Sequence, residues 1–256
     1  MLSTSTVPVL VGGVSQLFQG DLDVGRRIVE ALGGEDLGPG VLVEDLHYGA
    51  VAVAQRLQEL RPGALVLVGG EQRGRSPGTV ERVALTPRTD DVQVAVAEAV
   101  QGYVSIDLVV DVAAGLDALP PRVTSVELEP VTTETSLDLS PAGARAIAQM
   151  LALVREEVRY TPLLVLVTEV RRSLAETELA PSRAVSAVTA LLVELDRFDR
   201  ERRWGRVFAE RDRLRAAIAE GHTSEAMTHL DWGLWWALIE ELDRLQRLTP
   251  PEAGEA

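Results

Sequence analysis

The chain has 256 residues, 46% of them apolar, with no cysteine, no lysine and a formal charge of −14. That length and composition describe one or two globular domains, and they exclude disulfides, thiolate chemistry and any Schiff-base or P-loop lysine. The charge argues against broad contact with nucleic acid or an anionic membrane, both of which need positive surface.

An apolar run ended by glycines, residues 7–13, predicts a buried strand. The stretch GVSQLFQGDLDVGRRIVEAL follows from Gly13, with Val24, Ile28, Val29 and Leu32 at helical spacing and Gly33 and Gly34 as a stop. Gly20, Gly25, Asp21 and Asp23 crowd a strand-to-helix turn, which is where a parallel sheet usually binds and reacts. Residues 40–46 predict a second strand, 50–60 a second amphipathic helix, and 63–70 a third strand, apolar throughout and hence central. Residues 76–85 supply a turn and an edge strand. Helices are predicted over 91–100 and 105–116, separated by Gly102, then a strand over 122–130. A long helix over 140–158 has Ser140 as N-cap and Pro141 at its first position. Alternating elements with short connections imply a three-layer α/β sandwich on a mostly parallel sheet.

Past Tyr160 the pattern turns helical, apart from residues 163–167, which read equally as strand or helix. Helices are expected from Ser182 to about Trp204, from Gly205 to Glu220 and from Thr223 to Leu248, followed by a disordered tail. The domain reading is therefore an α/β domain over 1–159, a mainly α-helical extension over 160–250 and a tail over 251–256. No apolar run approaches the roughly 18 residues of a membrane span. The first six residues lack the basic start of a signal peptide. A soluble, cytoplasmic protein is expected.

The common catalytic motifs are absent: no dinucleotide fingerprint, no Walker sequence, no G-x-S-x-G and no H-E-x-x-H. The histidines are His47, His222 and His229. His222 and His229, seven apart near Asp231, could share a helix face and a metal; solvated surface histidines are the simpler reading. His47 ends the second strand, where it is either a surface residue or a ligand or base.

One stretch is more specific. VLVGGVSQLFQGDLDVGRRIVEAL resembles the start of the hydrogenase maturation endopeptidases, through Gly13, Gln16, Leu17, Phe18, Asp21, Gly25, Ile28, Val29 and Leu32. The resemblance continues through ALVLVGGEQRGRSPGTV, with Pro77-Gly78-Thr79, and VELEPVTTETSLDLSPAGARAIAQML, and spans about residues 7–158. It implies a metal-dependent peptidase that trims the C-terminus of a [NiFe] hydrogenase large subunit after nickel insertion. It also implies three metal ligands: the second acid of the first loop, an acid ending the third strand, and a histidine opening a later helix. Those positions fall on Leu22, on Gly69 or Gly70, and near Val92, none of which carries a metal donor. The family's asparagine is Gln16, and its acid after the second strand is His47.

Two functions from different classes follow. The first is a non-catalytic, pseudo-peptidase scaffold, adaptor or chaperone working through protein contacts, with no cofactor. The alternative is an active endopeptidase with a rearranged site of Asp21, Asp23, Glu71 and His47, in which case nickel recognition returns. A small-molecule hydrolase or nucleotide-binding protein on the same sheet has no motif in its favour. Asp21 also has a structural reading, as a carboxylate favoured by the dipole at a helix start. Arg73 and Arg75 are either solvated loop charges or binders of a carboxylate such as a peptide C-terminus. Trp232, Trp235, Trp236 and Ile239 form one apolar stripe by spacing, either core or an anchor for a protein partner or a second copy.

Overall fold

The computed structural model describes residues 9–88, 92–99, 104–177, 182–221 and 229–248. The chain divides into two units, residues 1–161 and 162–256.

Unit 1 is built on five strands: β1 (Val9–Val14), β2 (Val41–Asp45), β3 (Ala64–Gly70), β4 (Val80–Ala84) and β5 (Arg122–Leu128). Their order across the sheet is β2-β1-β3-β5-β4, with every pair parallel except β4 with β5. β1 and β3 lie inside the sheet and are covered on both faces, which is why their sequences are apolar without alternation. On one face Val9, Val11, Val66, Val68 and Val126 pack with α1 (Val24–Leu32) and the first part of α5 (Pro141–Glu176). On the other, Leu10, Leu65 and Leu67 pack with α2 (Ala50–Leu60) and α4 (Ile106–Gly115). A shorter α3 (Val92–Ala99) precedes α4. The result is the expected three-layer α/β sandwich. α1 lies very close to the sheet: a Cβ on Gly25 would stand 2.4 Å from the Val14 carbonyl oxygen and 2.5 Å from that of Val68.

The helix expected to stop at residue 158 continues to Glu176. Leu163, Leu164, Val167 and Val170 are buried at helical spacing, which decides the ambiguous run at 163–167 in favour of helix. The division between the units falls inside α5, at Pro162, where the helix lacks an N–H.

Unit 2 contains the rest of α5 with α6 (Arg183–Glu201), α7 (Val207–Gly221) and α8 (His229–Leu248). Ser182 caps α6, its Oγ accepting from the Val185 N–H at 3.2 Å. α6 ends at Glu201 rather than near Trp204, because Arg202 adopts a left-handed conformation with φ of 54°. That turn lets Trp204 stack on Phe198, with centroids 4.1 Å apart. The expected helix start at Thr223 and the tail lie outside the described residues. Among the described residues, no helix is long and apolar enough to cross a membrane.

Candidate functional site

The carboxyl ends of β1, β3 and β5 lie side by side at one edge of unit 1, where an open parallel sheet offers its crevice. β1 leads into a loop that closes on itself: the Gln16 N–H donates to the Leu22 carbonyl at 3.1 Å. The Gln16 side chain donates to the Val104 carbonyl at 3.3 Å. A single 3-10 turn, Gly20–Asp23, then feeds α1.

Asp21 is wholly buried. Its carboxylate accepts from the Val131 N–H at 2.9 Å, the Ser140 N–H at 2.8 Å and the Ser140 hydroxyl at 2.8 Å. The Ser140 Oγ accepts in turn from the Gly143 N–H at 2.9 Å, so Ser140 is the N-cap of α5 as expected. A Cβ on Gly143 would stand 2.2 Å from Asp21 Oδ1, so the carboxylate needs glycine there. Asp21 therefore braces a helix start, but that of α5 rather than that of the helix it precedes.

The neighbouring acids are also engaged. Asp23 is buried and pairs with Arg26, whose Nε donates at 3.0 Å. Leu22 is buried. A Cβ on Gly70 would lie 2.7 Å from the Asp21 carbonyl oxygen and 3.1 Å from Leu22 Cα; on Gly69 it would lie 2.6 Å from the Val14 carbonyl oxygen. The backbone of the first loop thus occupies the space that a side chain ending β3 would need.

The helix that starts over the end of β3 is α4, not α3. Glu71 Oε2 accepts from the Ile106 N–H at 3.0 Å, and a Cβ on Gly69 would sit 3.4 Å from Ile106 Cδ1. α4 is capped by Ser105, whose Oγ accepts from the Leu108 N–H at 3.2 Å. The Val92 side chain lies outside the described residues.

These residues do not fit a divalent ion. Leu22, Gly69 and Gly70 supply no side-chain donor, and Asp21 and Asp23 are satisfied by N–H and O–H donors. The rearranged set is not assembled either. Asp21 faces α5, Asp23 faces Arg26, and Glu71 faces α4. His47 follows β2, its Nδ1 3.0 Å from Asp45 Oδ1. Among the described residues, no group of three or more His, Cys, Asp or Glu side chains is placed to hold a metal ion. His222 lies outside the described residues, as does the side chain of His229.

Beside this corner lies a charge cluster. Arg73, expected as a solvated loop charge or a binder of peptide carboxylates, is already held by internal ones. Its Nη1 and Nη2 each donate to Asp107 at 2.7 Å, and its Nε and Nη2 donate to Glu127 at 3.0 and 2.8 Å. Arg75 contacts the same Glu127 and lies 3.4 Å from Glu81. Arg88 pairs with Asp111 at 2.8 Å and Asp107 at 3.1 Å. Burial pushes the Glu127 carboxyl up, but hydrogen bonds from Arg73 and Ser125 outweigh it and hold the group below its usual range. Burial pushes the Glu71 carboxyl up to about 7; the Ile106 N–H opposes this, and the Asp107 charge adds to it.

Sequence reading did not find Asp107, Asp111, Glu127 and Glu129. The signal was there: two acids at i and i+4 in the otherwise apolar helix IDLVVDVAAG, and two on alternate positions of VELEP.

In unit 2 the tryptophans do not form one face. Trp235 is 0% exposed and buried with Ile239 in the core, Trp232 is half-buried against it with centroids 5.9 Å apart, and Trp236 is 45% exposed. Trp235 is therefore unavailable as a partner anchor. The stripe runs through Trp235, Leu238, Ile239, Leu242 and Leu245, and Trp236 is rotated about 100° from Trp235 on a helical wheel.

No family model matches the chain, and no curated protein does. Among solved structures the chain is similar to hydrogenase 2 maturation peptidase from a Thaumarchaeota archaeon, at 22% identity and a TM-score of 0.43, covering 59% of this chain and 97% of that one. It is also similar to the hydrogenase maturating endopeptidase HybD from E. coli, at 22% identity and a TM-score of 0.45, covering 60% and 94%. A third is the [NiFe] hydrogenase maturation protease HycI from Thermococcus kodakarensis, at 13% identity and a TM-score of 0.39, covering 61% and 95%. What the site can do is decided by the residues of this chain.

Proposed function

We propose that the protein is a non-catalytic binding protein, a scaffold, adaptor or chaperone subunit, on a fold of the hydrogenase maturation peptidase type. The observation that carries this reading is at Gly70, where the first loop's backbone fills the place of the missing ligand side chain. Buried Leu22 supports it. The active-peptidase alternative requires free carboxylates that converge, and Asp21, Asp23 and Glu71 each have their own protein partner. The resemblance of residues 7–158 makes a hydrogenase-type metalloenzyme of the cytoplasm the first partner to try. We also place a domain boundary near residue 160, so that truncation after Thr161 leaves a soluble α/β domain.

Calorimetric titration with nickel and zinc tests the reading. The expected result is no stoichiometric heat from unit 1. A tight single site abolished by Asp21→Asn would overturn it.

A further inference from the structure

Asp21 fastens the first loop to the strap formed by residues 130–140. Its carboxylate holds the Val131 and Ser140 N–H groups, and its own N–H donates to the Thr132 carbonyl at 3.0 Å. The Ser136 N–H donates to the Phe18 carbonyl at 2.9 Å, and Gln19 bridges Ser136. Backbone pairing thus sets Phe18, with Leu17 before it, beside the Ser136–Leu137 end of the strap, and Val131 beside Asp21. Leu17, Phe18, Val131 and Leu137 are all exposed, Phe18 at 53% and Leu137 at 71%. Phe18 also has a φ of 63°, in the left-handed region. Glycine adopts that conformation freely, and a bulky residue is an outlier there. A strained backbone that turns a phenyl ring towards water gains nothing for the core, and such outliers cluster at binding sites.

The charges around the ledge narrow its occupant. Glu134 and Asp138, on the same strap, are exposed and carry no ion pair among the described residues. Arg27 donates to the Leu137 carbonyl at 3.0 Å and is 3.8 Å from Asp23, which offsets its charge. A second copy of a chain with net charge −14 would be repelled. We propose that this ledge docks a segment of a partner protein in which apolar residues alternate with arginine or lysine. The inference rests on the binding-protein reading above and names the chemistry of its partner.

The test uses the full chain and two arrays of short synthetic peptides: one mixing Leu, Ile, Val and Phe with Arg, the other identical with each Arg replaced by Glu. The wild type should be retained by the Arg array about tenfold over the Glu array, with retention falling as salt rises. Phe18→Gly should lose that retention while its unfolding midpoint holds or rises, since glycine relieves the left-handed strain. Leu137→Ser should lose it with no change in stability, and Glu134→Arg with Asp138→Arg should remove the preference for Arg. Equal retention on both arrays, a preference for the Glu array, or undiminished binding by Phe18→Gly would overturn the proposal. A concentration-dependent dimer in sedimentation that Phe18→Gly abolishes would also overturn it, by assigning the ledge to a second copy. Failure here leaves the non-catalytic reading standing, because metal calorimetry tests that separately.

Discussion

The corner at Asp21 and the corner at Arg73 share one edge of one sheet, and both bury carboxylates in different ways. Asp21 is satisfied by backbone N–H groups and one hydroxyl, neutral donors that belong to the strap and to α5. Asp107 and Glu127 are satisfied by guanidinium groups from the loop after β3. The first arrangement fixes shape, and the second neutralises charge. Both engage their carboxylates with protein donors, and among the described residues no group of three or more His, Cys, Asp or Glu is placed to hold a metal ion.

The sharpest way to separate the corners is to remove one partner from each. Arg73→Met removes one of the cations held by Asp107 and Glu127, which keep Arg88 and Arg75, so the loss should be about 3 kcal/mol, the low end for breaking a buried pair. Urea unfolding measures it; a loss under about 1 kcal/mol would show that the cluster is solvated. Asp21→Asn keeps the shape but turns one acceptor oxygen into an NH2 donor, so at least one buried N–H loses its partner and the loss should be about 2 kcal/mol and independent of salt. A strong salt dependence would contradict the neutral-donor account.

Glu71 joins the two corners and supplies a pH signature. Its folded value of about 7 lies above the ordinary 4.5, so its contribution is full below about pH 4.5 and is lost as pH rises through 7. The stability of the wild type relative to Glu71→Gln should therefore fall by about 1–2 kcal/mol between pH 5 and pH 8, after allowance for partial solvent access. A difference that stays flat would place the carboxyl in water, and one that grows would make it an ion-paired carboxylate. The smallest effect is expected at Ser140→Ala, about 1 kcal/mol for a lost N-cap. Combined with Asp21→Asn it should cost less than the sum, because the two share a hydrogen bond.

Much of this was legible in the sequence. The unbroken apolar runs of β1 and β3, the spacing of Val24, Ile28 and Leu32, and Ser140 before Pro141 are local signals, and each marked its element. The end of α5 was not, because a proline and a short apolar run are compatible with either secondary structure until their neighbours are known. The ion pairs of Arg73 join residues 34 and 54 positions apart, a separation that no local pattern reports. The tryptophan cluster misled for a simpler reason: adjacent residues on a helix cannot share the centre of one face.

The central claim is that backbone fills the corner between the first loop and the end of β3, leaving no room there for a metal-binding side chain. Leu22→Glu with Gly70→Asp, followed by nickel calorimetry and urea unfolding, tests it most directly. The Asp side chain would begin 2.7 Å from the Asp21 carbonyl oxygen, so the account predicts a destabilised protein that takes up no stoichiometric nickel. A variant as stable as the wild type that binds one nickel ion tightly would contradict it.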